Sequence, residues 1–473
     1  MKIFTILIVT FLYHNHNVRC HDFFRVMTVK FNDFTRIMSN SFDGLFSKVK
    51  SIFVPRVRDA QKSIEQYILE ERIKQAFNDF VEKTAADADT ESPEYASMKS
   101  EPTALMSTPQ LATIHGRRIE SHVIKTRDGY LLTLHRILSK HNQNDTKFSN
   151  ETILLHHGLL GSSADWILLG PEKSLPYILS DAGYDVWMTN ARGNYYSRGH
   201  KSKPVNSRSY WRFTFQEMGE YDLPAAIDYV RTLKNSTKKI NYIGHSMGAT
   251  ALLVLLSTAP RYNQYLRIGI LLAPLAFMTN IQGPLKILTS MSTDPPDQLL
   301  KAIGDTEFVP SRKIPKMMAS KFCKGANIYC SNPLLFLTGS IPEQEPQDAS
   351  FMARLLYHVP AGGSTDTIMH YGQLVKSGKF HRFGRVKSEF PLNQVKLPIA
   401  MFSSSTDWLA TVPDVLRLYF SISNPIDHYV IRGQNLSHTE FVWGSEANVL
   451  VFPKLMDYLE NGLNVNFVKA NEV

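Results

Sequence analysis

Cysteine is scarce: three occur in 473 residues. So few exclude a disulfide-built scaffold and leave no cysteine set for a structural zinc. Long apolar runs are missing too. After the first twenty residues no stretch reaches the ~18 uncharged apolar residues of a spanning helix, so no transmembrane segment is expected. G-x-G-x-x-G, the P-loop and H-E-x-x-H are absent, and neither a cofactor nor a metal is expected. No block of lysine and arginine accompanies the net charge of +9. Nucleic acid is therefore not an expected partner. The thinly spread positive excess suits weak attraction to anionic lipid surfaces. Internal repeats are also lacking.

What is present is globular in composition: 43% hydrophobic and 20% charged residues. Disorder of the bulk is excluded. Lys2 precedes a mostly apolar run, residues 3–13, too short to cross a bilayer. A polar stretch follows, with Val18 and Cys20 at −3 and −1 of a cleavage point. Residues 1–20 are thus expected to be a secretory signal. Loss of Cys20 leaves Cys323 and Cys330 in an oxidising compartment, and a disulfide between them is expected. Closing so short a loop stabilises by roughly 2.5 kcal/mol in the chain-entropy model. Glycosylation sequons stand at Asn144, Asn150, Asn235 and Asn435. The expected destination is the extracellular space, with the lysosome as the alternative.

Residues 21–107 carry apolar stripes at steps of three and four. The first runs from Phe24 through Phe31, Met38 and Leu45, and Pro55 ends it. A second includes Ile64, Ile68, Phe77 and Phe80. They predict a helical extension closed by a linker. From about residue 115 the pattern is β/α alternation. A hairpin is expected around Asp128-Gly129. Strands are expected over 152–157, 184–189, 239–244, 268–272, 398–402 and 428–432. Asp222 and Pro224 mark a helix start. Residues 281–395 lose the alternation and read mainly helical. The expected fold is α/β, a mostly parallel sheet in two segments, 108–280 and 396–473, interrupted by a helical cap over 281–395.

The sharpest motif is Gly244-His245-Ser246-Met247-Gly248, between a strand and an apolar helix. A nucleophilic serine needs a sharp, exposed turn, and two glycines remove the side chains that would crowd it. A serine hydroxyl also needs a base, itself oriented by an acid, in the chain order serine, acid, histidine. Asp407 and His438 each follow a predicted strand on the same sheet edge. Asp414, Asp366 and His370 are rivals. Two backbone N–H groups must receive the oxyanion. Met247 supplies one, and Leu159, in His157-Gly158-Leu159-Leu160-Gly161, the other. Arg192 is expected in an internal ion pair.

These motifs resemble those of the gastric and lysosomal acid lipase family. The matching residues are Asp128-Gly129-Tyr130, His157-Gly158-Leu159-Leu160, Ala182-Gly183-Tyr184-Asp185-Val186-Trp187, Arg192-Gly193-Asn194 with Ser197-Arg198, and Gly244-His245-Ser246-Met247-Gly248. They continue with Lys376-Ser377-Gly378-Lys379-Phe380, Asp407-Trp408-Leu409-Ala410, and His438 with Trp443-Gly444. The likeness spans roughly residues 108–460. It implies an α/β-hydrolase fold, a Ser246/Asp407/His438 triad, oxyanion donors at Leu159 and Met247, and a cap over the acyl site. It further implies a lipase acting on neutral lipids, glycerides or steryl esters, at a lipid–water interface. Met247 stands where the family often has glutamine, and residues 21–107 have no counterpart in it. The alternatives are a carboxylesterase for small soluble esters and a lipid-binding protein with a silent site.

Overall fold

A tight turn at Asp128-Gly129 starts the sheet. Gly129 sits at φ +103°, a conformation glycine adopts freely, and its N–H donates to Thr126 O at 3.1 Å. The turn joins β1 (Ile119–Lys125) to β2 (Tyr130–Ile137) as an antiparallel pair. The computed structural model describes residues 102–138, 151–234, 238–282, 306–308, 349–433 and 436–461. The expected signal over 1–20, nearly all of the extension, Cys323, Cys330 and the asparagines at 144, 150, 235 and 435 lie outside the described residues, as does most of the cap.

The remaining strands are β3 (Thr152–His156), β4 (Asp185–Met188), β5 (Gly199–His200), β6 (Ile240–His245), β7 (Leu266–Leu272), β8 (His381–Arg382), β9 (Arg385–Glu389), β10 (Ile399–Ser404) and β11 (Pro425–Ile431). The main sheet runs β1-β2-β4-β3-β6-β7-β10-β11, with β5 added beside β2. From β4 to β11 every pairing is parallel. The residues of β3, β4, β6 and β10 are buried throughout. Helices cover both faces of such a sheet, which is why its strands read as continuous apolar runs. Helix α1 (Thr108–Ile114) carries a capping box between Ser107 and Gln110. Helices α2 (Leu175–Asp181), α3 (Leu223–Leu233) and α4 (Met247–Thr258) follow. Helix α4 is apolar on all sides and buried through Ser257, as a helix packed in the interior must be. Beyond it lie α5 (Ala349–His358), α6 (Thr365–Ser377), α7 (Val412–Tyr419) and α8 (Phe452–Asn461).

Two local expectations need correction. Residues 381–389 form the β8–β9 hairpin rather than helix. Asp222 precedes α3 as expected, but its side chain does not cap it. A π-helical turn, Met218–Asp222, runs straight into α3. The Asp222 carboxylate turns instead to Arg192, accepting from its backbone N–H at 3.1 Å, Nε at 2.8 Å and Nη2 at 2.6 Å.

Arg192 is the internal ion pair that was expected, and it has two partners. Its Nη1 donates to Asp128 Oδ2 at 2.7 Å, and its guanidinium lies 4.0 Å over the Tyr130 ring. One cation thus ties the β1–β2 turn to the loop after β4 and the start of α3. Replacing it by Arg192→Leu leaves Asp222 buried without a counter-charge. The expected loss is about 3–5 kcal/mol, read as a lower denaturation midpoint. A loss below 1 kcal/mol would show that this pair does not hold the three segments.

Candidate active site

Strand β6 ends at His245, and α4 begins at Met247. Ser246 alone makes the reversal, at φ +52° and ψ −112°, a strained conformation that persists only where its surroundings over-determine it. Both motif glycines have a steric reason. A Cβ on Gly248 would stand 2.3 Å from His156 O, and one on Gly244 would stand 2.7 Å from Ala249 N. Ser246 N–H donates to Leu272 O at 2.9 Å, which continues the β6–β7 ladder. Met247 N–H is the first of the α4 helix and has no intrahelical acceptor.

Ser246, His438 and Asp407 form one hydrogen-bonded line. Ser246 Oγ lies 2.8 Å from His438 Nε2, and His438 Nδ1 lies 3.0 Å from Asp407 Oδ2. All three are buried. The Asp407 carboxylate is itself fixed, accepting from Leu409 N–H at 2.8 Å and Ala410 N–H at 2.9 Å. Such a line can withdraw a proton from the hydroxyl as it attacks and hold the resulting imidazolium. The rivals are engaged elsewhere. Asp414 accepts from Asn280, Asp366 pairs with Arg212, and His370 stacks on Phe215 at 4.0 Å.

The loop after β3 packs onto the serine. A Cβ on Gly158 would lie 3.4 Å from Ser246 Cβ and 3.0 Å from His245 Nδ1. Half-buried Leu159 follows it in a turn closed by Gly161 N–H to Gly158 O at 3.2 Å. His157 braces that turn. Its Nε2 accepts from Ala191 N–H at 3.1 Å, so Nδ1 carries the proton and donates to Gly158 O at 2.7 Å. Burial holds the His157 pKa down to about 4, which keeps the ring neutral. Asn194 adds a donor to Gly161 O at 3.3 Å.

Comparison with known proteins agrees with this geometry. Residues 151–431 match the model of the alpha/beta hydrolase fold, and residues 108–170 match the partial alpha/beta-hydrolase lipase region. The chain is 35% identical over 362 residues to Lipase 3 of Drosophila melanogaster, covering 73% of this chain and 91% of that protein. It is 32% identical over 374 residues to the gastric triacylglycerol lipase of Bos taurus, covering 76% and 92%. Over 375 residues it is 31% identical to the lysosomal acid lipase/cholesteryl ester hydrolase of Homo sapiens, covering 76% and 92%. The chain belongs to the gastric and lysosomal acid lipase family. It is a carboxylic ester hydrolase of the lipase type.

Two residues of this lipase carry roles that no local pattern announces. His245 is buried beside the serine and donates Nε2–H to the His438 backbone carbonyl at 2.8 Å. Burial first, and then the neighbouring His438, lower its pKa to about 3. It is a neutral strut under the loop that carries His438. Asp165 is the other. A Cβ on Gly161 would fall 2.0 Å from Asp165 Oδ2, so the carboxyl lies directly against the Gly158–Gly161 turn. Its Oδ1 accepts from Ser162 N–H at 3.2 Å. Burial pushes its pKa from 3.8 up to about 7. A carboxyl with a raised pKa stabilises the fold at low pH, and that contribution is lost as pH rises from about 4 to about 7. Asp165→Asn keeps the acceptor and removes the charge. It should raise stability on the order of 2–4 kcal/mol at pH 8 and by little at pH 4. Thermal midpoints at both pH values check this; a gain equal at the two would contradict it.

Proposed function

We propose that this lipase hydrolyses water-insoluble lipid esters, glycerides or steryl esters, through an acyl-enzyme on Ser246. Ser246 Oγ attacks the ester carbonyl while His438 Nε2 takes its proton. Asp407 holds the imidazole in the required tautomer and stabilises its cation. The oxyanion accepts hydrogen bonds from the N–H groups of Leu159 and Met247. As the intermediate collapses, His438 returns the proton to the leaving alcohol. Water then attacks the acyl carbonyl while His438 takes its proton. Collapse of the second intermediate breaks the bond to Ser246 Oγ, returns that proton from His438 to Oγ and releases the acid. The Ser246–His438–Asp407 line, with both bonds within 3.0 Å, carries this assignment.

The substrate class is supported by the relatives, whose names specify triacylglycerol and cholesteryl ester. Residues 281–395 act as a cap and acyl-binding wall, with apolar stretches such as Ile287-Leu288. Apolar walls bind acyl chains by area, at ~25 cal/mol per Å². The mild positive charge favours anionic lipid–water interfaces. A signal over 1–20, four sequons and a Cys323–Cys330 pair fit a secreted or lysosomal enzyme.

Ser246→Ala should lower turnover by on the order of 10⁶, because the three groups act as a unit. Asp407→Asn should cost roughly 10⁴, since the imidazole loses its orienter. Kinetics on one ester, with circular dichroism to verify folding, check both; more than a few per cent of activity in Ser246→Ala would remove the assignment.

The substrate class has its own test, the rate followed through the solubility limit of the ester. The expected result is a rise where emulsion appears, with preference for long acyl chains. Saturation below that limit, with preference for acetyl or butyryl esters, would indicate a small-ester carboxylesterase.

A further inference from the structure

Among the described residues, three that are not glycine have positive φ: Leu160, Ser246 and Ala273. Ser246 is the nucleophile elbow. Leu160 adjoins the proposed oxyanion donor Leu159 and sits at φ +60°. It occupies the third position of the Gly158–Gly161 turn, where a positive φ ordinarily calls for glycine. A leucine stays there only if its surroundings hold it.

What holds it comes from far along the chain. Ala361 N–H donates to Leu160 O at 2.6 Å, and Ala361 O accepts from Tyr195 N–H at 2.8 Å. Two glycines permit the approach. A Cβ on Gly363 would lie 3.0 Å from Leu160 Cδ2, and one on Gly362, at φ +105°, would lie 3.0 Å from Gly193 O. A second short segment is bonded to the first. Phe308 N–H donates to Gly363 O at 2.8 Å, and Thr365 N–H to Thr306 O at 3.0 Å. Glu307, between them, is clamped to the loop after β4 by a two-pronged ion pair with Arg198, at 2.5 and 2.9 Å. Ser364 Oγ adds a bond to Trp211 O at 2.6 Å.

We propose that residues 361–363, clamped to the core through Glu307 and Arg198, are positioning residues that set the oxyanion turn by holding Leu160 in its left-handed conformation. If the clamp loosens, Leu160 relaxes, and the peptide planes of the turn that carries Leu159 re-orient. Binding of the ester ground state is then little changed, while the developing oxyanion loses alignment with its donor. Arg198, Gly193 and the two glycines thereby acquire a function that the triad does not require. The proposal rests on the assignment of Ser246 and Leu159 made above.

The test is a pair of substitutions on a soluble monomeric ester. Glu307→Gln keeps the side-chain volume and removes the charge. It should lower kcat about tenfold with KM within twofold, since a transition-state contact is lost. In a Leu160→Gly background the same change should lower kcat less than threefold, because glycine takes positive φ without help. A loss equal in both backgrounds, a loss confined to KM, or no loss would overturn the proposal. Arg198→Lys, which breaks the two-pronged geometry, serves as the second route if Glu307→Gln does not fold. The unsubstituted enzyme and Ser246→Ala are assayed in the same series. Absent hydrolysis by the unsubstituted enzyme, or undiminished hydrolysis by Ser246→Ala, would refute the parent assignment, whereas equal losses in the two backgrounds refute the positioning role by itself.

Discussion

Gly248 lies so close to the carbonyl of His156 that a Cβ there would stand 2.3 Å from the oxygen. This backbone-on-backbone contact sets the first turn of α4 against the end of β3. Both expected oxyanion donors follow from it. Met247 leads the helix, and Leu159 lies in the loop that β3 feeds. The reversal at Ser246 is the geometric price of that contact, and its positive φ is maintained by the Ser246 N–H bond to Leu272 O and by Gly244 packing under Ala249. The other parts of the site are arranged around these fixed strand ends. Asp407 follows β10, and His438 follows β11, on the same edge of the parallel sheet.

Burial then decides which groups are neutral. His156, His157 and His245 are held down to about 3, 4 and 3, chiefly by desolvation. Each serves as a neutral donor or acceptor near the serine rather than as a charge. Their folded pKa values lie below the unfolded 6.5. The unfolded chain therefore binds more protons in that interval, and their contribution to stability, present above 6.5, is lost as pH falls toward 3–4. Asp165 has the opposite sign, with its stabilisation greatest in acid. The two kinds of buried group thus offset each other across the mildly acidic range.

Much of this was legible in the sequence because it is local. The strands around 152–156 and 240–245 announce themselves as apolar runs, and the G-x-S-x-G motif marks the turn between strand and helix. Asp407 and His438 were legible through chain order, since a parallel sheet places successive strand ends on one edge. The parts that were not legible depend on tertiary partners. Asp222 looks like an ordinary helix cap, and only the arrival of Arg192 from the preceding loop makes it a counter-ion. His245 looks incidental until the His438 loop comes within 2.8 Å of its Nε2. Ala361 and Gly363 meet Leu160 across two hundred residues of sequence, and no periodicity links them. The β8–β9 hairpin was missed because its residues, Arg385 to Glu389, are mostly exposed and lack the apolar alternation of a strand with a core face.

The central claim is that one serine among many in this chain is activated, by its place on the elbow and by the line to His438 and Asp407. The most direct measurement is covalent labelling of the folded enzyme with a fluorophosphonate, followed by peptide mass mapping. The account predicts a single phosphonyl adduct, on Ser246, whose formation is abolished when the protein is denatured first. Labelling at another serine, or undiminished ester hydrolysis after complete exposure to the probe with Ser246 unmodified, would contradict it.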